Sequence, residues 1–325
     1  MSFGILGIGS AYPDRVLTNK DLEQMVDTTD EWIRTRSGIV ERRICDSDTA
    51  TSDLASLAGR RALEMAGLGP SDIDLIIVGT FSPDRLVPST ACYVMEQLNI
   101  PDCAAFDINA ACTGFLYGLS LARGMLTIGM ARRALVIGAD LVTRYTNFKD
   151  RSTCVLFGDA AGAVVFGPTD GEGGVLGEYL SADGRMNKHI MIPAGGSRQP
   201  VTHEVIDAGE QYIQLNGNDV FKFAVRIIPE ALNEAFRRAG LQPQQIDWVI
   251  PHQANIRIID SAVKRLGIPP ERFIVNIERF GNTSAASIPL AMDEAVRDGR
   301  IQRGHLVGLV AFGGGLTWGA TVLKY

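Results

Sequence analysis

The chain has 325 residues, of which 46% are hydrophobic, and a formal net charge of −6. This length and composition suffice for one large globular domain or two medium ones with a sizeable core. The acidic balance argues against a general nucleic-acid-binding face, although a local basic patch can still receive an acidic partner.

The N-terminal segment MSFGILGIGSAYP has no positively charged stretch before its short apolar run. No uninterrupted apolar segment approaches the roughly 20 residues that a membrane span needs. We therefore expect a cytoplasmic protein without membrane insertion.

The first half of the chain alternates helical and strand-like patterns. Apolar residues at helical spacing over 54–65 precede a Gly-Leu-Gly-Pro stop and a β-rich apolar run that ends at Thr80. Further apolar strands are predicted at 104–108 and 133–140. The helix between these two strands is built on Phe115, Leu116, Leu119 and Ala122. Alternating helices and apolar strands predict an α/β fold with layered elements.

The second half repeats a unit of the first. EAFRRAGLQPQQIDWVIPHQ at 234–253 matches RALEMAGLGPSDIDLIIVGT at 61–80 with a constant offset of 173 and eight identities. Composition alone predicts about one or two identical positions in two segments of this length, so we interpret the match as a duplication. The alternative is that helix-loop-strand units in general use Ala, Gly and Pro at these places. A predicted helix at 255–267 and an apolar strand at 305–315 follow.

The turn-like sequence TDGEGG, which includes Gly171 and Gly174, divides the chain into halves 1–172 and 173–325. The offset of 173 aligns Asn109 with Asn282 and Cys112 with Ala285. If a pseudo-twofold axis relates the halves, these two strand-to-helix junctions lie near each other. The repeat therefore predicts a shared site between the halves.

The five cysteines are odd in number, widely spaced and without a CxxC pair. This pattern argues against a disulfide framework and against a zinc site, and we predict no metal. For Cys92, Cys103 and Cys154 we expect the role of small buried hydrophobes.

Cys112 differs because it follows a strand and precedes a helix. A helix N-terminus favours the thiolate, and the small neighbouring residues leave room for a substrate. The alternative is a packed cysteine in a tight junction.

Other residues with chemical potential lie at the ends of strands in the second half. His252, in PHQAN, is placed to project into a cleft, whereas for His189, His203 and His305 we expect exposed or locally hydrogen-bonded roles. By its local sequence alone, Asn282 is interpreted as an ordinary N-cap. Its alignment with the Cys112 loop makes it a candidate site residue. Three glycines at 313–315 lack a phosphate-loop pattern and either bring N–H groups to a reacting oxygen or permit a crowded turn.

Taken in order, DINAACTGFLYGL, VIPHQANIRII, RFGNTSAAS and AFGGGLTWG closely resemble the β-ketoacyl-acyl carrier protein synthase III family of the thiolase-like fold. The resemblance extends over nearly the whole chain. It implies an αβαβα layered fold of two pseudo-symmetric halves, an acyltransferase and a homodimer. It also implies that a Cys112 acyl-enzyme condenses a short acyl-CoA primer with malonyl-acyl carrier protein, with no cofactor other than the CoA thioester substrate.

The resemblance assigns roles to individual residues. Cys112 is the nucleophile, His252 and Asn282 support decarboxylation and condensation, and the N–H groups of Cys112 and Gly314 form the oxyanion hole. Val87 lies where the partner subunit helps to close the acyl pocket. Two further sets are implied for CoA binding and for the acidic carrier protein, respectively: Trp32, Arg36, Arg151 and Asn255; and Lys222, Arg257, Lys264 and Arg265.

Three classes of function stay open at this point. The first is a decarboxylating condensing enzyme of fatty acid synthesis or a relative from polyketide metabolism. A cysteine hydrolase uses a similar Cys-His pair oriented by an amide. A non-catalytic CoA-binding or carrier-protein-binding module is the third. Primer length and branching do not follow from the sequence.

Overall fold

Residues 2–169, 171 and 173–325 are described in the computed structural model of the chain. Within 2–169, strands alternate with α-helices. The strands are β1 Ser2–Ala11, β2 Val16–Thr18, β3 Glu41–Arg43, β4 Leu75–Gly79, β5 Ala104–Ile108, β6 Ala134–Leu141 and β7 Asp159–Thr169. The helices are α1 Asn19–Glu23, α2 Asp30–Ser37, α3 Thr51–Ala66, α4 Thr90–Gln97, α5 Gly114–Thr127 and α6 Arg151–Cys154.

The second half follows the same alternation. Its strands are β8 Gly174–Ala182, β9 Ile190–Met191, β10 Gln214–Leu215, β11 Trp248–Pro251, β12 Leu306–Gly313 and β13 Thr317–Lys324. Its helices are α7 His203–Asp207, α8 Gly217–Ala239, α9 Ile256–Leu266, α10 Ile277–Phe280 and α11 Ser287–Arg297. No helix in the described part of the chain is both long and apolar enough to cross a membrane.

Each half contributes one large sheet. The order in the first is β1-β7-β6-β4-β5, and in the second it is β8-β13-β12-β11. In the first sheet β4 runs parallel to β5 and β6, and in the second β11 runs parallel to β12. Every residue of β4 and β6 is buried, as expected for strands with both faces covered.

The two sheets enclose a central layer formed by α5 and α11. Phe115 of α5 and Ile288 of α11 belong to one apolar core together with Ile77 of the first sheet and Leu309 of the second. On the outer faces, α3 and α4 cover the first sheet, and α8 and α9 cover the second. The order helix, sheet, helix, sheet, helix confirms the αβαβα architecture expected from the sequence.

The offset of 173 residues holds well beyond the two aligned segments. Helices α3 and α8 end at residues 66 and 239, each followed by a left-handed glycine, with φ of 65° at Gly67 and 69° at Gly240. Strands β4 and β11 begin 173 residues apart, and the short 3-10 turns Ala111–Thr113 and Ser284–Ala286 do so as well. General helix-loop-strand chemistry does not produce one register over so many elements, so duplication is the better interpretation.

The halves differ at the edge of the sheet. The offset pairs β5 with residues 277–281, but these residues contain the short helix α10 instead of a strand. Near the predicted division, β7 of the first sheet ends at Thr169 and β8 of the second begins at Gly174. Glu172, the last residue of the predicted first half, lies outside the described residues.

Glycine permits the close approach of both junction turns to the first sheet. A Cβ at Gly138 of β6 would lie 2.2 Å from the carbonyl oxygen of Ala285, and a Cβ at Gly79 of β4 would lie 2.6 Å from the carbonyl carbon of Gly114. Such distances are far below van der Waals contact. Glycine is therefore required where the turns before α5 and α11 rest on the first sheet.

We predict that Gly138→Ala destabilises the protein by at least about 1–3 kcal/mol, because the added methyl group forces the Ala285 turn away from the sheet. The matched control is Gly124→Ala in α5, where a Cβ meets nothing within 4 Å. That change should stabilise the protein by up to about 1 kcal/mol, because alanine is the better helix former. Urea unfolding measures both, and equal effects would contradict the steric explanation.

Candidate active site

Cys112 lies in the turn Ala111–Thr113, between the end of β5 and the start of α5. Ala111 has φ of 46°, an unusual value for a residue with a side chain, and its N–H donates to Asn109 Oδ1 at 3.2 Å. The buried Thr113 hydroxyl donates to the Ala110 carbonyl at 2.6 Å. These bonds fix the turn that presents the thiol.

The thiol of Cys112 contacts the corresponding turn of the other half. Ser284 Oγ donates to Cys112 Sγ at 3.5 Å, and the Ser284 N–H donates to Asn282 Oδ1 at 2.9 Å. Since Oδ1 is bound in this way, the NH₂ group of Asn282 is the part of the amide left for a substrate. The structure thus brings Cys112 and Asn282 together through Ser284, as the repeat predicted.

His252 follows β11 and is 1% exposed. Its backbone N–H donates to Val310 O at 2.7 Å, and its ring packs edge-on against Phe312 with 5.7 Å between centroids. Ring atom Nδ1 lies 2.7 Å from Ser287 Oγ in the first turn of α11. The Nε2 atom is therefore the ring nitrogen available to a substrate.

Burial determines the charge of both titratable side chains. It lowers the pKa of His252 to about 3, so the imidazole is neutral at pH 7. It raises the pKa of the Cys112 thiol to about 12, while the hydrogen bond from Ser284 lowers this pKa and the Asp140 carboxylate raises it. The expectation that a helix N-terminus favours the Cys112 thiolate stays a prediction, while desolvation favours the neutral thiol.

A cavity of about 730 Å³ lies in front of the thiol. Cys112, Ser284 and Gly314 belong to its wall, and a Cβ at Gly314 would lie 3.4 Å from the Ala111 side chain. Most of the remaining wall is apolar. It includes Phe81, Leu86, Val142, Tyr145, Phe157, Ile190, Ile192 and Ile213.

Val87 does not line this cavity. Its neighbour Leu86 does, and both side chains are exposed, by 83% for Val87 and 86% for Leu86. In the single chain, Val87 therefore lies on the surface beside the cavity and not on its wall.

The four residues predicted to bind CoA lie together. The guanidinium groups of Arg36 and Arg151 lie 5.7 Å and 5.1 Å from the Trp32 ring centroid. Asn255 caps α9 and its Nδ2 donates to the Arg36 carbonyl at 3.0 Å. None of these residues is among those that line the 730 Å³ cavity.

The four residues predicted to receive the carrier protein are exposed on adjacent helices. Lys222 belongs to α8 and lies 3.4 Å from Asp219, while Arg257 packs over Phe221 with 5.2 Å to the ring centroid. Lys264 and Arg265 lie in the last turn of α9. The helices α8 and α9 contact each other, so the basic side chains share one region of the surface.

Ser284, Ser287 and Asp140 were not predicted from the sequence. The repeat could have pointed to the two serines. The offset of 173 aligns Ser284 with Ala111 and Ser287 with Gly114, and these two residues lie on either side of Cys112. The prediction for the other cysteines was correct for Cys154, which is buried, but wrong for Cys92, which is exposed. In the described ranges, no group of three or more His, Cys, Asp or Glu side chains could hold a metal ion.

Two duplicated α/β halves with a cysteine turn at their junction define the thiolase-like class of folds. The profile "3-Oxoacyl-[acyl-carrier-protein (ACP)] synthase III" matches residues 106–184, and the profile of its C-terminal part matches 236–325. The chain belongs to the 3-oxoacyl-[acyl-carrier-protein] synthase III family.

Individual relatives cover nearly the whole chain. Beta-ketoacyl-[acyl-carrier-protein] synthase III of Caldanaerobacter subterraneus is 52% identical over 99% of this chain and 97% of its own length. The protein of that name from Symbiobacterium thermophilum is 52% identical over 99% and 98%. The crystal structure of 3-oxoacyl-[acyl-carrier-protein] synthase III from Aquifex aeolicus superposes with a TM-score of 0.92 at 44% identity, covering 99% of this chain and all of the other.

We predict that His252 makes the folded protein less stable in acid. Below its ordinary pKa of 6.5 the unfolded chain binds a proton at this residue, whereas the folded protein does so only near pH 3. The free energy of unfolding therefore falls as pH decreases through this window, by up to about 1.4 kcal/mol per pH unit from this group. In urea unfolding at about pH 7 and about pH 4.5, the stability difference between wild type and His252→Asn should shift in favour of the variant at the lower pH. Parallel pH dependences would contradict the assignment.

Proposed function

We propose that this protein catalyses the condensation of a short acyl-CoA primer with malonyl-acyl carrier protein, yielding 3-oxoacyl-acyl carrier protein, CoA and CO₂. It would thereby initiate fatty acid synthesis. The observation that supports this most is the contact of the Cys112 thiol with the Ser284–Asn282 turn on the wall of a largely apolar cavity. Membership of the synthase III family gives the same reaction class.

In the first half-reaction, the sulfur of Cys112 attacks the thioester carbonyl of acyl-CoA. The acyl group moves to Cys112, and the thiol proton leaves with CoA, so one thiol replaces another. Because the resting thiol is neutral, its proton departs as the new bond forms, while Ser284 stabilises negative charge on the sulfur. The N–H groups of Cys112 and Gly314 would hold the developing oxyanion.

In the second half-reaction, malonyl-acyl carrier protein loses CO₂ and leaves an enolate with negative charge on its thioester oxygen. Ser287 lies 2.7 Å from Nδ1 of the neutral His252. If its hydroxyl donates there, the ring proton resides on Nε2, which can then donate to the enolate oxygen. The free NH₂ group of Asn282 supplies a second donor. In a buried site these bonds are stronger than in water. The enolate carbon then attacks the Cys112 thioester, so that the new C–C bond forms as the C–S bond breaks, and the released sulfur takes a proton from solvent to restore the thiol.

Two groups of surface residues support the proposal that acyl-CoA and an acyl carrier protein are the substrates. Trp32 offers a ring for stacking on an adenine, and Arg36 and Arg151 beside it offer charges for phosphates. The exposed lysine and arginine side chains of α8 and α9 would attract an acidic carrier protein, although the net charge of the enzyme is negative. CoA acts as substrate, and the reaction needs no resident cofactor.

We also propose that a second copy of the chain covers the exposed apolar side chains of Leu86 and Val87. Leu86 is 86% exposed although it also lines the cavity, so a partner placed here would close the acyl site. The homodimer, like the cytoplasmic location, stays a prediction of the sequence.

Incubation with acetyl-CoA and malonyl-acyl carrier protein should yield acetoacetyl-acyl carrier protein. Cys112→Ala should abolish the acyl-enzyme, whereas His252→Ala and Asn282→Ala should still acylate Cys112 but slow condensation on the order of a hundredfold or more. Intact-mass measurement detects the acyl-enzyme, and Cys92→Ala, at an exposed cysteine, is the matched control with wild-type rates. Free acetate without condensation would indicate a hydrolase, and acylation plus condensation by Cys112→Ala would refute the nucleophile.

We predict that valine at position 87 admits primers larger than acetyl. Isobutyryl-CoA and longer acyl-CoA substrates should be used by the wild type, and Val87→Phe should reduce their kcat/KM relative to acetyl-CoA by roughly tenfold, because a larger side chain shortens the acyl pocket of the partner. Ile128→Phe, at another exposed apolar residue, should leave the ratio unchanged. A wild type strictly limited to acetyl-CoA would contradict this prediction.

A further inference from the structure

The two junction turns are built alike, although only one carries a nucleophile. Ala111 and Ser284 occupy equivalent positions and both have positive φ, 46° and 52°. Each donates its N–H to the asparagine two residues before it, Ala111 to Asn109 and Ser284 to Asn282. The equivalent of Cys112 in the second turn is Ala285.

The end of β12 in the second half lies beside the Cys112 turn of the first half, and the end of β6 in the first half lies beside the Ala285 turn of the second. Gly313, which ends β12, lies so close to Cys112 that a Cβ would be 2.7 Å from the Cys112 nitrogen. The equivalent residue of β6 is Asp140, and its Oδ2 accepts the N–H of Ala285 at 3.3 Å. Gly313 brings no side chain to the Cys112 N–H, whereas in the duplicate turn the Asp140 carboxylate accepts the Ala285 N–H.

Asp140 is held by a dense set of donors. Its side chain is fully buried, and its Oδ1 accepts from Thr80 Oγ1, Phe81 N and Ser82 Oγ, each at 2.9 Å, and from Ser82 N at 3.2 Å. These donors belong to the loop after β4, where Phe81 lines the cavity. Asp140 therefore joins the cavity loop of the first half to the Ser284–Ala285 turn of the second.

We propose that Asp140 is a positioning residue for acyl transfer: its carboxylate takes, in the duplicate turn, the place of a substrate oxygen and locks the Ser284–Ala285 turn against the Cys112 thiol. The proposal rests on the function proposed above, since it assumes Cys112 as nucleophile. It extends that function to a residue that touches neither substrate nor the reacting atoms.

The negative charge of Asp140 has a second effect on the thiol. The titratable groups that face it are Cys112 and Tyr145, and its presence raises the pKa of each. Burial raises the pKa of Asp140 itself to about 6, so the carboxyl is mainly ionised at pH 8. Removal of the charge should thus favour the Cys112 thiolate, while loss of the lock should impair acyl transfer.

Asp140→Asn removes both the charge and the hydrogen bond to the Ala285 turn, and two measurements distinguish the consequences. The amide keeps the shape but removes the charge, and its NH₂ group cannot accept the Ala285 N–H. Alkylation of Cys112 by iodoacetamide at about pH 8 should become about threefold to tenfold faster, with its pH profile shifted to lower pH. The kcat for acyl transfer should fall on the order of tenfold to a hundredfold, with little change in KM for acyl-CoA.

The matched control is Asp159→Asn. Asp159 is equally buried and accepts from Cys45 N, Thr143 N and Thr143 Oγ1, but its carboxylate makes no hydrogen bond to the Ser284–Ala285 turn. Its replacement should leave the pH profile of Cys112 alkylation unchanged. Equal shifts in both variants would overturn the proposal.

Ser284→Ala tests the same lock if Asp140→Asn does not fold. It removes the hydroxyl that contacts the thiol and leaves the Asp140 side chain in place, so both alkylation and acyl transfer should become slower. Wild-type kcat in Ser284→Ala, or in folded Asp140→Asn, would overturn the proposal. Alkylation requires no acyl-CoA, so it tests the role of Asp140 independently of the reaction. If the wild type forms no acyl-enzyme, the proposed function is refuted, whatever the alkylation rates show.

Discussion

The close packing of the two strand-to-helix junctions on the first sheet is the constraint on which the rest of the structure depends. Backbone meets backbone where Gly138 faces Ala285 and Gly79 faces Gly114, at distances that leave no room for a side chain. This contact seats both central helices on the first sheet. It also brings Ser284 of one half to the Cys112 thiol of the other. The same contacts therefore pack the core and assemble the site.

A site assembled in this way is buried, and burial sets its chemistry. Desolvation favours the neutral forms of both His252 and Cys112. Fixed hydrogen bonds to Ser287 and Ser284 then orient groups that do not need to reorganise when charge develops. The same low dielectric that suppresses charge in the resting site strengthens each hydrogen bond to a transient anion.

Sequence reasoning identified the elements whose patterns are local. The apolar spacing of α3 and α8, the buried strands β4 and β11 and the glycine stops between them all follow from neighbouring residues. The repeat went further, since it placed Asn282 opposite Cys112. It did not reveal α10 in place of a strand, the exposure of Cys92 or the raised pKa of Cys112, because these depend on what the rest of the chain packs against each residue.

The asymmetry between the duplicated halves explains why there is one nucleophile and not two. Gly79 and Gly114 occupy the positions equivalent to His252 and Ser287, and these two glycines pack directly against each other beside the Cys112 turn. In the second turn Ala285 is the equivalent of Cys112, and Asp140 stands opposite it in place of Gly313. A junction with reacting groups needs empty space and unpaired N–H donors, and both reduce stability. At the second turn, the Asp140 carboxylate and the close contact of Gly138 with Ala285 restore packing, and this turn then supports the Cys112 turn through Ser284.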